Sequence, residues 1–215
     1  MKKWNVLMAG GSGLVGSTAT QLLLADPRCS ELYSILRKPA PSGVQRIALD
    51  SLEQTTLPNI DVVCIALGTT IKKAGSQQAF RQVDYDLVLT VAQKARQSGA
   101  RRCVVITALG SDAKSSIFYN RVKGEVEQAL QAMGFEQLVI LRPSLLLGDR
   151  QESRTGESLG QLVAPLLSPF LIGGLRRYRP IQSDVVARCM VESAFDSEFS
   201  PSVKILESDE IAVGR

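Results

Sequence analysis

Short, continuously apolar runs alternate with helix-period stretches over the first two-thirds of the chain. The runs Asn5–Ala9, Leu32–Leu36, Val44–Ala48, Val62–Leu67, Cys103–Thr107 and Leu138–Leu141 are rich in Val, Ile and Leu. Strands buried on both faces of a parallel sheet read this way, because neither face meets water. Between them, Leu14–Ala25 stops before Asp26-Pro27. Ser76–Gln97 sets Phe80, Val83, Leu87, Val91 and Ala95 at helical spacing and stops at Ser98-Gly99. Ile117–Met133 puts Val122, Val126, Ala129, Leu130 and Met133 on one face and stops at Gly134. A glycine just past a periodic stretch is a helix-stop signal. This alternation predicts right-handed crossovers and an α/β fold: a Rossmann-type doubly wound parallel sheet with helices on both faces. Beyond Pro143 the texture changes. Gly, Pro and Arg cluster between Gly148 and Pro180, ahead of a helix-period run, Ser183–Phe195, and a strand-like run, Val203–Leu206. Residues 1–215 read as one dinucleotide-binding domain, with roughly residues 143–215 forming a small substrate-side segment over the strand ends.

Composition adds exclusions. The 215 residues, 45% hydrophobic and 21% charged, suit one folded domain and rule out disorder. The chain has no histidine. Ser-His-Asp and Cys-His nucleophiles and His-ligated zinc are therefore excluded, and acid–base chemistry falls to Tyr, Lys, Cys or a carboxylate. Cys29, Cys64, Cys103 and Cys189 share no short spacing, so no metal set is expected. Cys64 and Cys103 fall inside apolar runs and read as core residues in a reducing cytoplasm. The net charge of +4 is spread over scattered basic pairs and aromatics are only 5%, which argues against a nucleic-acid partner. No run reaches the ~18 apolar residues of a membrane span, and the opening Met1-Lys2-Lys3 leads into a strand and turn. The expectation is a soluble cytoplasmic protein without a membrane partner.

The first strand runs into Gly10-Gly11-Ser12-Gly13-Leu14-Val15-Gly16. A strand, a glycine turn and a helix start form the context in which G-x-G-x-x-G holds a dinucleotide. The glycines let the backbone turn and approach a pyrophosphate, and the helix start offers unpaired N–H groups. The second strand ends in Arg37-Lys38 where NAD-binding folds usually carry an acid. A guanidinium there can fork onto a 2′-phosphate, so NADP(H) is expected over NAD(H), which the same turn also accommodates. Asp50, past the third strand, is placed either to accept from the adenine amine or to stand in a solvated turn. Leu67 ends the fourth strand and runs into Gly68-Thr69-Thr70, where strand tips line the crevice, a glycine lets the backbone approach the ribose and the hydroxyls can bond it.

Tyr119 and Lys123 stand four apart at a helix start and so share a face. A hydride-transfer enzyme must also pass a proton to or from the substrate oxygen. A free phenol, with a pKa of about 10, is a weak acid–base group at neutral pH. A nearby ammonium, with the positive charge of oxidised nicotinamide, stabilises the phenolate. Thr107, at the tip of the fifth strand, or Ser111 supplies a hydroxyl to hold the substrate carbonyl; the strand-tip position favours Thr107.

These residues resemble the short-chain dehydrogenase/reductase superfamily, with its glycine turn, Ser or Thr after the fifth strand and Tyr-x-x-x-Lys. The resemblance is closer to an atypical branch, the Tat-interactive-protein-like oxidoreductases and their bacterial relatives, and spans essentially the whole chain. Cys64–Lys72, Thr107–Ser116, Phe118–Glu125 and Leu141–Gly148 carry the likeness. It implies NADP(H) at Gly10, Gly13, Gly16, Arg37 and Lys38, catalysis by Tyr119 and Lys123, and a loop at Pro143 and Ser144 covering the nicotinamide. One departure is that the superfamily's Ser is Thr107 here, which adds a methyl and a stiffer χ1.

The leading function is an NADPH-dependent oxidoreductase acting on a small carbonyl compound. The alternative is a non-catalytic NADP(H)-binding regulatory module acting through a protein partner. A sugar-nucleotide epimerase is disfavoured because little chain follows Pro143 to enclose so large a ligand. Many members of the superfamily are homodimers, but no interface stripe is evident in this chain.

Overall fold

The computed structural model describes residues 3–148, 171, 173–196 and 202–214. The first strands are β1 (Trp4–Ala9), β2 (Cys29–Leu36), β3 (Gln45–Ala48), β4 (Val62–Ile65), β5 (Arg102–Ile106) and β6 (Gln137–Arg142). Three follow: β7 (Leu146–Leu147), β8 (Ile181–Gln182) and β9 (Val203–Glu207). A seven-stranded sheet runs in the order β3-β2-β1-β4-β5-β6-β9, and its pairings are parallel. The order reverses between β1 and β4. In open α/β sheets that reversal leaves a crevice at the carboxyl ends of the two strands.

The helices are α1 (Leu14–Ala25), α2 (Ile71–Ala74), α3 (Gln77–Arg81), α4 (Leu87–Gln97), α5 (Phe118–Ala132), α6 (Ser183–Phe195) and α7 (Ser208–Val213). Val6 and Met8 face one layer, with Ala19 and Leu23 of α1 and Val186 and Met190 of α6. Leu7 and Ala9 face the other, with Val88, Val91 and Ala95 of α4 and Val126 and Leu130 of α5. Successive residues of one strand thus enter opposite cores, which is why the runs carry no polar alternation. Burying each of the Val, Leu and Met side chains fully is worth roughly 1.5–3 kcal/mol.

The expected elements differ from the observed ones in three places. The run Val62–Leu67 is a strand only to Ile65: Ala66 N–H still donates to the Ala9 carbonyl at 2.8 Å, but the Ala66 carbonyl abuts Gly10, where the ladder stops. Ser76–Gln97 is interrupted by a π-helical turn, Gln82–Asp86. That wide turn carries Asp84 inward beside Phe80 and Val88, while Val83 and Leu87 are only half-buried. The C-terminal segment enters the sheet itself, since β9 pairs with β6 and α6 packs against α1. The small β7–β8 sheet and a 3₁₀ turn, Gly173–Tyr178, are the described parts that stand at the strand ends. Much of the Gly148–Pro180 cluster lies outside the described residues.

The cysteines are unpaired, with Cys64, Cys103 and Cys189 buried and Cys29 half-buried. Burial pushes the Cys29 thiol up to about 11 and the Cys64 thiol to about 12. Among the described residues no helix is long and apolar enough to cross a membrane.

Candidate functional site

The turn Gly10–Gly16 fills the space between the tips of β1 and β4. Gly10 adopts the left-handed φ of +87°, and a Cβ there would collide with the Ala66 carbonyl. A Cβ on Gly16 would collide with the Gly10 carbonyl, so the first turn of α1 lies directly on the glycine turn. The Gly13 N–H donates to the Gly10 carbonyl, and the Ser17 N–H to the Gly13 carbonyl, both at 2.9 Å. Gly13 caps α1 without a side-chain hydrogen bond. The first N–H groups of the helix and its positive dipole end are therefore left at the crevice, a place that suits a diphosphate. Gly11 lies against the Ser34 and Thr20 hydroxyls. Ser12 is exposed, Leu14 is half-buried and Val15 belongs to the core.

The other strand tips surround this turn. Arg37 and Lys38 are exposed just beyond β2. Arg46 of β3 reaches back and donates to the Arg37 carbonyl at 3.2 Å, placing a third cation at this tip. Asp50 is exposed in a 3₁₀ turn, Leu49–Ser51, after β3. Beyond β4, Leu67 is half-buried and Gly68 is exposed. The Thr70 hydroxyl accepts from the Lys73 N–H at 3.1 Å and so caps α2.

Tyr119 stands in the first turn of α5, its ring 5.6 Å from that of Phe80. It lines a cleft of about 610 Å3 with Ala108–Gly110 after β5, Pro143–Leu145 after β6, and Arg177 and Tyr178 of the 3₁₀ turn. Lys123, one turn further along α5, is buried, and its Nζ lies 2.7 Å from Asp84 Oδ1. The other Asp84 oxygen accepts the Thr69 N–H at 2.8 Å. A Cβ on Gly68 would lie 4.0 Å from Lys123 Nζ, so the ammonium comes up beneath the loop after β4. Burial pulls the Lys123 ammonium down, but the charge of Asp84, then Tyr119 and Glu127, outweighs it and holds the group above the ordinary lysine value. Asp84 is absent from the sequence reading. Its signal is a carboxylate four residues from both Phe80 and Val88, on the apolar face of a helical stretch.

Thr107 is at the tip of β5, as expected, but its hydroxyl donates to Glu127 Oε1 at 2.6 Å. A hydroxyl has one proton to give. Glu127 is buried, and Arg142 donates to its two oxygens at 3.0 and 2.5 Å. The Ser111 hydroxyl donates to the Ala108 carbonyl at 2.6 Å. Both hydroxyls weighed for holding a substrate carbonyl are thus engaged within the protein. The Pro143 carbonyl accepts the Leu109 N–H at 3.0 Å, tying the loop after β6 to the loop after β5. The Ser144 hydroxyl donates to the Arg179 carbonyl and lies 2.9 Å from the Ser208 hydroxyl. Arg177 pairs with Glu207 at 3.3 Å at the edge of the cleft.

The strand order therefore brings the glycine turn, the Arg37-Lys38 tip and the Gly68–Thr70 loop to one end of the sheet, with Lys123 buried beneath Gly68 and Tyr119 on the cleft beyond β5 and β6. It does not bring a free Thr107 or Ser111 hydroxyl to Tyr119.

Solved structures share this architecture. MoeE5 in complex with UDP-glucose and NAD superposes with a TM-score of 0.68 at 15% identity, over 96% of this chain and 79% of that one. The human epimerase family protein SDR39U1 (isoform2) with NADPH gives 0.63 at 19% identity, over 94% and 72%. At these identities the likeness is one of fold: a Rossmann-like, parallel seven-stranded sheet.

Sequence relatives are nearer. "Protein FMP52, mitochondrial" of Eremothecium gossypii is 33% identical over 96% of this chain and 95% of its own. Its namesake in Emericella nidulans is 34% identical over 88% and 86%, and that of Saccharomyces cerevisiae 30% identical over 96% and 94%. These names overturn the expected cytoplasmic location. That expectation rested on unpaired cysteines and on the lack of an apolar span, and neither feature distinguishes the cytoplasm from an organelle interior. The HIM1 family model matches residues 32–167, more than half of the chain. With that match and relatives above 30% identity along nearly its whole length, the chain belongs to the HIM1 family.

Proposed function

We propose that this protein is an NADPH-dependent oxidoreductase of the atypical short-chain dehydrogenase type that reduces a small carbonyl compound, with Tyr119 as proton donor. The finer kinship, to the Tat-interactive-protein-like branch, rests on the stretches Thr107–Ser116 and Phe118–Glu125. The observation that carries the reading is the placing of Tyr119 on the wall of the cleft, one helical turn from an ammonium beneath Gly68. The bound NAD and NADPH named for MoeE5 and SDR39U1 support a nicotinamide nucleotide in the crevice. A mitochondrial setting comes to this chain from its relatives alone.

The diphosphate would rest on the uncapped start of α1, which the tight packing of Gly10, Gly13 and Gly16 brings up to the tips of β1 and β4. Arg37 and Lys38, joined by Arg46, meet the 2′-phosphate, and this favours NADP(H) over NAD(H). Asp50 accepts from the adenine amine, Leu67–Thr70 line the ribose, and Pro143 and Ser144 cover the nicotinamide. The nucleotide, when bound, supplies the hydride. Tyr119 gives its hydroxyl proton to the substrate oxygen. Lys123 bonds the ribose and favours the phenolate left behind. Thr107 contributes through Glu127, keeping Arg142 and the loop after β6 in place.

Tyr119→Phe tests the proton donor. NADPH affinity stays within about twofold, while turnover of any carbonyl compound reduced by the wild type falls by about 10²–10⁴-fold. Unchanged turnover removes Tyr119 from the chemistry. The engaged Thr107 and Ser111 hydroxyls favour a second reading, a non-catalytic NADP(H)-binding module acting on a protein partner. A protein that binds NADPH tightly but oxidises none of it across a broad carbonyl panel decides for that reading.

A further inference from the structure

A buried lysine needs a counter-ion, and Lys123 takes its own from another element. Lys123 and Asp84 have 4% and 1% of their side chains exposed, with Nζ and Oδ1 2.7 Å apart. Oδ2 of the same carboxylate accepts the Thr69 N–H at 2.8 Å. One side chain thus joins α5 to the loop after β4. The π-helical turn Gln82–Asp86 aims it there, and such turns recur at functional sites. Gly68 lies directly over the pair: a Cβ there would stand 3.5 Å from Asp84 Oδ1 and 4.0 Å from Lys123 Nζ, within ordinary contact. The titratable groups acting on Lys123 are Asp84 from the π turn and Tyr119 and Glu127 from α5 itself. Glu127 is taken by Thr107 and Arg142, which leaves Asp84 as the counter-ion.

Resting on the function proposed above, we propose that Asp84 is a positioning residue, which holds the Lys123 ammonium in place and charged beneath Gly68 and fixes the Gly68-Thr69 backbone against it. Without that carboxylate, burial would strip the proton from Lys123 at moderately alkaline pH. The ribose contact would then be lost even though the protein stays folded.

Asp84→Asn removes the charge but keeps an acceptor for the Thr69 N–H. NADPH affinity of the intact protein is measured by fluorescence titration from about pH 7 to about pH 10. The wild type changes by less than about twofold across the range. Asp84→Asn starts within about threefold of the wild type and loses about tenfold as pH rises, converging on the Asp84→Asn/Lys123→Met double variant, which is flat. An Asp84→Asn protein that tracks the wild type at every pH overturns the proposal. A wild type that binds no NADPH defeats the proposed function instead. In that case, or if Asp84→Asn does not fold, NMR titration of isotope-labelled lysine in the wild type decides, with the double variant assigning the signal. A Lys123 proton kept above the ordinary lysine range supports the role of Asp84. A proton lost at or below that range overturns it.

Discussion

Gly16 meets the Gly10 carbonyl so closely that no side-chain atom fits between them. Gly16→Ala must push α1 off the turn. We expect a loss of about 1–3 kcal/mol in stability, read by denaturant unfolding, together with weakened NADPH binding. An unchanged midpoint and affinity would show that the turn can yield. The Lys123 charge makes a prediction of a different kind. Its folded value is raised above that of an ordinary lysine, because the charge of Asp84 outweighs the effect of burial. Its stabilisation is therefore complete below the unfolded value and is lost as pH rises through the higher folded one. Unfolding midpoints should drop in that alkaline window for the wild type and lack this component in the Asp84→Asn/Lys123→Met double variant. At this scale the sequence exposes Tyr119, Lys123 and the glycines, because their chemistry depends on local spacing. It conceals what Thr107 touches, because Glu127 lies 20 residues further on and meets it only across the fold.

Apolar runs and helical periods are properties of single elements, and they place most elements well. Leu14–Ala25 and Ser183–Phe195 have the bounds expected of them. The failures are tertiary. The stretch Ser76–Gln97 passes through a π turn that carries Asp84 to its ionic partner on α5, and periodicity cannot see a partner. β4 stops at Ile65, where the Ala66 carbonyl abuts the glycine turn, a contact that lies outside the strand's own sequence. Glu127 binds three elements together, linking Thr107 beyond β5, its own helix α5 and Arg142 at the end of β6. Glu127→Ala leaves the half-buried guanidinium without its carboxylate. The expected cost is about 3 kcal/mol, read as a lower denaturant midpoint at constant slope. A cost below about 0.5 kcal/mol would mean that Arg142 finds another partner, with Glu207 at 4.0 Å the nearest candidate.

The whole molecule is a sheet whose reversal between β1 and β4 creates a crevice, with a cleft beside it. The alternation of elements foretold that architecture. It did not foretell that β9 would extend the sheet or that α6 would lie against α1, because the path of the chain between Leu147 and Ile181 carries no periodic signal. Composition also misled at this scale: free thiols and the lack of an apolar span do not specify a compartment, and the mitochondrial relatives corrected that reading. In the function proposed, the crevice takes NADPH, with Arg37, Lys38 and Arg46 meeting its 2′-phosphate. Fluorescence titration of the wild type with NADPH and with NADH separates the two nucleotides. NADPH should bind tighter, by about tenfold or more, and lose that advantage in Arg37→Ala/Arg46→Ala. Equal or tighter binding of NADH, or no binding of either nucleotide, would contradict it.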